Sequence, residues 1–203
     1  METTICCGLR VGQKVPGFTM NTFEPAKGRF GEFKFSSGKK KKRWTLLFFY
    51  PADYTFICPT ELADLARIHG ELKKLDFDVV AVSTDTHFVH MAWQRDEKLL
   101  ENIRYVMGAD PTGTVSRLFG VYDGETGLAL RGTFIISPDG ELVGSEVNFY
   151  NVGRNADELL RKCEAFVHVR ANPDQVCPAR WSPGEKTLSP GEDLVGRVAE
   201  ALE

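Results

Sequence analysis

Three runs of almost unbroken apolar character stand out along the chain: Trp44 to Tyr50, Phe77 to Thr84, and Gly132 to Ser137. Runs of this length without polar alternation predict strands covered on both faces. Between them the spacing changes. From Pro59, apolar residues fall at Leu62, Leu65, Ala66, Ile68, Leu72 and Leu75, close to the repeat of a helix with one buried face. A second helix is expected from Thr86 to Leu100, a short one from Thr114 to Phe119, and a last long one from about Ala156 to Val169. Ser137-Pro138-Asp139-Gly140 is a strong turn signal, so Gly132–Ser137 and Glu141–Phe149 are expected to pair as a hairpin.

Strands alternating with helices, closed by a late hairpin, imply an α/β layer sandwich around a mixed central sheet. After Arg170 the composition shifts. Ala171 to Gly191 carries four prolines and two glycines, which predicts an irregular arm. The expected division is a core domain over 1–170 and an arm over 171–203.

Composition narrows the class. The chain has 203 residues, 42% hydrophobic and 26% charged, with a net charge of −3. That balance excludes a disordered chain or a nucleic-acid coat. The longest apolar stretch is far too short to span a bilayer, and Met1 to Met20 lacks the pattern of a secretory signal. Five cysteines cannot all pair within the chain, and a core of this size needs no disulfide staples. A soluble, cytoplasmic protein with reduced thiols is expected. The basic run Lys39 to Arg43 is read as a solvated loop.

One segment carries chemistry. Pro51-Ala52-Asp53-Tyr54-Thr55-Phe56-Ile57-Cys58-Pro59-Thr60-Glu61 lies after a buried strand and before a helix. Cys58 is therefore expected at a helix N-terminus, with Pro59 at the first helical position. Free backbone N–H groups and the positive end of the helix dipole favour the thiolate there. Thr55 is near enough in sequence to bring a hydroxyl beside the sulfur, and Pro51 restricts the loop. The chain contains no C-x-x-C motif, which argues against thiol–disulfide exchange as the main reaction. A lone prepared thiolate suits attack on a peroxide O–O bond, giving a sulfenic acid.

The segment resembles the active-site motif of the typical two-cysteine peroxiredoxins. The resemblance extends through Val11–Phe18, His90-Met-Ala-Trp93, Arg131–Ile136, Gly153-Arg-Asn155 and Val176-Cys-Pro-Ala-Arg-Trp181. It is nearest to the bacterial branch that includes the peroxidase subunit of alkyl hydroperoxide reductase. The resemblance implies a thioredoxin-like three-layer sandwich with a C-terminal arm. It makes Cys58 the peroxidatic cysteine, with Thr55 and Pro51 around it and Arg131 beside the thiolate. Glu61 corresponds to an acid that positions Arg131, and Arg154 to a second, outer arginine. Cys177 corresponds to the resolving cysteine, supplied across a homodimer that can assemble as five dimers. The implied substrates are hydrogen peroxide and alkyl hydroperoxides, and the implied reductant is thioredoxin or a dedicated flavoprotein. A redox relay or holdase chaperone using the same cysteines is the rival reading. No metal, organic cofactor, nucleic acid or membrane partner is implied.

The remaining cysteines divide by context. Cys163 falls on a helical stripe with Leu159, Leu160, Phe166 and Val167 and is expected to be a buried, inert residue. Cys6 and Cys7 are expected to be exposed incidental thiols. Peroxide-sensitive members of the family carry a Gly-Gly-Leu-Gly insertion and a C-terminal Tyr-Phe, and neither occurs here. The resemblance therefore implies resistance to over-oxidation.

Overall fold

The structure, a computed structural model, describes residues 8–36 and 43–202. Cys6, Cys7 and Lys39 to Lys42 lie outside the described residues. The chain forms two compact units, one ending at Ala156 and one beginning at Asp157.

The first unit is built on a seven-stranded mixed sheet. In chain order its strands are β1 (Phe18–Glu24), β2 (Arg29–Phe35), β3 (Trp44–Phe49), β4 (Phe77–Ser83), β5 (Val106–Ala109), β6 (Arg131–Ile136) and β7 (Leu142–Asn148). Their order across the sheet is β2-β1-β5-β4-β3-β6-β7. β3, β4 and β5 run parallel, and the other pairings are antiparallel. The helices of this unit are α1 (Cys58–Lys74), α2 (His87–Asp96) and α3 (Thr114–Leu118), while α4 (Ala156–Ala171) starts at its end.

The three apolar runs form the centre of the sheet. Every residue of β3 and β6 is buried, and β4 is buried except at Asp78. Phe49, Phe119 and Phe134 pack together beneath them. The hairpin is as expected, with Phe134 opposite Ser145 and the Ser137 N–H donating to the Glu141 carbonyl.

Two expectations need correction. The helix expected from Thr86 to Leu100 is interrupted. α2 ends at Asp96, Glu97 is extended at φ −90° and ψ 112°, and Lys98–Leu100 forms a separate 3-10 turn. The Glu97 carboxylate caps that turn by accepting from the Leu99 N–H at 3.0 Å, so a local side-chain bond outcompetes helix continuation. The sequence reasoning also missed β1, β2 and β5. β2, at the sheet edge, and β1 beside it mix buried and exposed positions. β5 is only four residues long and contains Gly108, where an added Cβ would come within 3.0 Å of Met20 Cε.

The second unit contains most of α4 and the irregular segment that follows. Val176 and Leu188 exchange backbone hydrogen bonds in an isolated bridge. Trp181 is buried against the His168 ring and donates Nε1–H to the Glu185 carbonyl. A 3-10 turn at Glu192–Leu194 and α5 (Val198–Leu202) complete it. Among the described residues, no helix is long and apolar enough to cross a membrane.

Candidate active site

The loop between β3 and α1 is fixed at several points before it reaches Cys58. Tyr54 adopts φ +53°, a left-handed conformation that bulky side chains rarely take. Its phenol donates to Asp96 at 2.8 Å, and its ring lies near Trp93. Asp53, one residue earlier, donates its backbone N–H to Asp85 at 2.9 Å. Its carboxylate accepts from the Tyr50 hydroxyl at 2.7 Å and lies 2.7 Å from His90 Nδ1. The other ring nitrogen of His90 faces the Gly108 carbonyl at 3.2 Å. Tyr50, Asp53 and His90 are all buried. Burial holds the Asp53 carboxyl above the usual carboxylate range, although the bonds from His90 and Tyr50 pull it down. Burial likewise pushes the Tyr50 phenol well above its ordinary value.

Beyond this anchor the chain turns into α1. Cys58 is itself the first helical residue, and Pro59 takes the second position rather than the first. The shift costs no hydrogen bond, because the first four N–H groups of a helix have no partner within it. Thr60 closes the turn by donating its hydroxyl to the Ile57 carbonyl at 2.6 Å. The Thr55 hydroxyl donates to the Ala52 carbonyl at 2.9 Å, and Pro51 is buried at the start of the loop.

The Cys58 side chain is fully buried and receives Arg131 Nη1–H at 3.5 Å. Arg131 is the first residue of β6, and its guanidinium meets the first turn of α1. The same Nη1 bonds Glu61 Oε2 at 2.5 Å, while Nε donates to the Tyr150 carbonyl at 2.9 Å. Glu61, one turn along α1 from the cysteine, also holds Arg154. The Arg154 backbone N–H and Nε reach Glu61 Oε1, each at 2.9 Å, and Nη2 reaches Oε2 at 3.2 Å. Arg154 Nη1 continues to the Gly132 carbonyl and the Thr133 hydroxyl. Its guanidinium stacks 3.4 Å from the centre of the Phe48 ring, a cation–π contact.

The arginine expected to lie outside is thus as deeply placed as the inner one, since both side chains are 4% exposed. Packing on Phe48 explains the burial, because a weakly hydrated guanidinium tolerates an aromatic face. Burial pulls the Arg154 guanidinium below its ordinary value, and Glu61 opposes that change. One carboxylate therefore serves two buried cations, and the first of them also meets the Cys58 sulfur.

The structure brings Cys58, Glu61, Arg131 and Arg154 together and sets Pro51 and Thr55 in the adjoining loop. Cys177 belongs to the second unit, where it is half-buried beside the Val176–Leu188 bridge. Burial raises its thiol above the usual value, and Arg161 partly offsets this. Cys163 is fully buried in α4, and burial pushes its thiol far up. Sequence reasoning missed the Tyr150 carbonyl and the Tyr50–Asp53–His90 anchor. Tyr50, Asp53 and His90 are separated by up to forty positions, so no local spacing announces them. Among the described residues there is no cluster of metal-binding type.

A buried cysteine opening a helix, held under a carboxylate-bound guanidinium at the end of a mixed sheet, defines a thiol-chemistry enzyme. Comparison with known proteins makes the class specific. The model of the AhpC/TSA family matches residues 11–145, and the chain belongs to that family. It is 47% identical to alkyl hydroperoxide reductase C of Staphylococcus aureus over 188 residues, covering 93% of this chain and 98% of that one. The crystal structure of Enterococcus faecalis AhpC matches with a TM-score of 0.78 and 40% identity, over 85% of this chain and all of that one. The reduced 2-Cys peroxiredoxin of Plasmodium vivax matches with a TM-score of 0.84 and 28% identity, over 91% and 95%. The fold is thioredoxin-like, and the chain is an enzyme of the peroxiredoxin group.

Proposed function

We propose that the chain is a thiol-dependent peroxidase in which Cys58 attacks the hydroperoxide and Cys177 of a second copy resolves the product. The observation that carries this reading is the Arg131 guanidinium on a buried Cys58 sulfur at the first turn of α1. The Cys58 thiolate attacks the terminal oxygen of ROOH, the O–O bond breaks, and the alkoxide leaves with a proton as ROH. Arg131 is placed to stabilise the anionic sulfur and the charge that grows on the departing oxygen. Glu61 and Arg154 hold Arg131 against rotation. The sulfenic acid then condenses with the Cys177 thiol, releasing water and forming an intersubunit disulfide. An external dithiol, thioredoxin or a dedicated flavoprotein, reduces that disulfide and becomes oxidised. Thr55 and Pro51 shape the approach to the sulfur.

The same reading extends to the assembly. Residues 171–203 act as the arm that presents Cys177 to the partner. β7 is an edge strand with Val147 exposed, and Phe149 just beyond its end is exposed too, a surface suited to strand pairing in a homodimer. Five such dimers form the decamer, and the compartment is the cytoplasm. Hydrogen peroxide and small alkyl hydroperoxides are the substrates. A relay or holdase role alone is not favoured, because the family is one of peroxidases.

Mixing reduced protein with substoichiometric peroxide tests this. The native chain consumes the peroxide and migrates as a linked dimer on a non-reducing gel. Cys58→Ser loses peroxide consumption altogether. Cys177→Ser keeps the first turnover but forms no Cys58–Cys177 link. A Cys58→Ser variant that still removes peroxide at the native rate refutes the reading.

A further inference from the structure

Between β7 and α4, residues 149–155 have no regular secondary structure, yet they supply two supports for the site. The Tyr150 carbonyl accepts from Arg131 Nε, and Arg154 supplies both a backbone N–H and a guanidinium to Glu61. The strap also passes close to the residue before the cysteine. A Cβ added at Gly153 would lie 3.3 Å from Ile57 Cγ2, tighter than ordinary contact, so any larger residue there would push Ile57 aside by a few tenths of an ångström. A carbonyl on an irregular strap has no sheet ladder or helix to fix it. Its position needs another anchor.

That anchor is the Tyr150 side chain. Its hydroxyl donates to Asp123 Oδ2 at 2.7 Å and shares a 3.0 Å hydrogen bond with Thr126 Oγ1. Asp123 is itself held in a closed turn. Its Oδ1 accepts from the Glu125 N–H, its N–H donates to the Leu128 carbonyl, and its carbonyl accepts from the Gly127 N–H, each at 2.9 Å. Tyr122 and Ala129 bridge the base of this turn, and the chain enters β6 two residues later with Arg131. The carboxyl of Asp123 sits below its usual range chiefly because Tyr150 donates to it, which shows that the phenol favours the ionised partner.

We propose that Tyr150, latched through its phenol to the Asp123 turn, is a positioning residue that sets the Arg131 guanidinium over Cys58. The latch joins the strap after β7 to the turn before β6, the two segments that hold Arg131 from its backbone side and from its Nε. Without the phenol oxygen the carbonyl of Tyr150 drifts, and the guanidinium keeps its bond to Glu61 but loses its second fixed point. The sulfur then faces a cation of less defined orientation. The inference rests on the peroxidase reading for its effect on rate, but its effect on the sulfur is independent of substrate.

Tyr150→Phe removes one oxygen and keeps the ring, and Asp123→Ala removes the other half of the latch. In stopped-flow mixing with hydrogen peroxide, each variant is expected to react about two- to tenfold more slowly than the native chain, the range of one lost hydrogen bond. The double variant is expected to be no slower than the slower single, because the two residues act as one unit. The second measurement is alkylation of Cys58 by iodoacetamide, resolved by site with mass spectrometry across pH. Its half-maximal pH is expected to rise in both variants while the thermal midpoint stays within a few degrees of native. Native rate and native alkylation profile in Tyr150→Phe overturn the latch. So does a lowered thermal midpoint with an unshifted alkylation profile, the mark of a merely structural bond. If the native chain does not consume peroxide, the peroxidase reading falls, and the alkylation profile alone decides the latch.

Discussion

Two buried polar clusters flank the loop from Pro51 to Cys58, and they are built on different principles. At the Cys58 end, Glu61 sits between the guanidiniums of Arg131 and Arg154. At the Pro51 end, Asp53 sits between Tyr50 and His90. Both carboxylates are buried and both accept short hydrogen bonds, yet their partners differ in one respect. A guanidinium cannot give up its proton within a protein, whereas imidazole and phenol can take either role in a hydrogen bond. The first cluster therefore keeps a permanent cation under the sulfur. The second can reach full hydrogen-bond satisfaction without any charge. The comparison teaches that burial alone does not decide what a carboxylate contributes; what matters is whether its partner has a neutral form.

The largest expected effect follows at Glu61. Glu61→Gln leaves two buried cations facing one neutral amide, and the amide nitrogen meets donors only. Breaking a buried ion pair by removing one partner costs about 3–5 kcal/mol. Urea unfolding of Glu61→Gln is expected to show a loss in that range, together with a slower reaction with peroxide as Arg131 loses its fixed partner. A loss below about 1 kcal/mol would mean that the cluster is wetter than the 1% side-chain exposure of Glu61 implies.

A smaller effect is expected at Arg131. Lysine preserves the charge but not the fork, and one ammonium cannot serve Cys58, Glu61 and the Tyr150 carbonyl in the directions that Nη1 and Nε do. Arg131→Lys should therefore react with peroxide roughly 10–100-fold more slowly, somewhat less than loss of a whole transition-state donor. It should remain folded, since the charge opposite Glu61 persists. Circular dichroism and stopped-flow mixing check both halves. A native rate would show that charge alone suffices at this position.

Sequence pattern reached some of this and not the rest, for physical reasons. β3, β4 and β6 were legible because both faces of each are buried, so their apolar runs are uninterrupted. Cys58 was legible because strand, turn, cysteine and proline are contiguous. β1 and β2 were not, because this edge strand and its neighbour mix exposed Thr, Asn, Glu and Lys with buried Phe and Met. The grouping of Glu61 with Arg131 and Arg154 came only through family resemblance, and the depth of Arg154 came from neither source. Its burial depends on Phe48, which lies more than a hundred positions away and meets it only once the sheet is formed. The Asp53 anchor was missed for the same reason: Tyr50 and His90 meet Asp53, and His90 meets the Gly108 carbonyl, only once the chain is folded.

The smallest effect is expected at Asp53, and it tests the comparison most directly. Asparagine there can accept the Tyr50 hydroxyl with its oxygen and donate its amide to His90 Nδ1, while His90 Nε2–H continues to the Gly108 carbonyl. Every group keeps a partner and no charge is buried. Asp53→Asn should therefore cost less than about 1 kcal/mol, within the net value of one hydrogen bond. The pH dependence follows from the direction of the Asp53 shift. Because burial holds its carboxyl above the usual range, the folded chain retains a proton that the unfolded chain releases from about pH 4 upward. Stability from this group is fully present below the unfolded value and declines as pH rises through the folded one. The native chain should therefore lose stability relative to Asp53→Asn over that window, and the two curves should run parallel above it. Urea midpoints measured from pH 4 to pH 7 decide the matter. A large, pH-independent loss in Asp53→Asn would place Asp53 with Glu61, as a carboxylate whose charge the fold cannot do without.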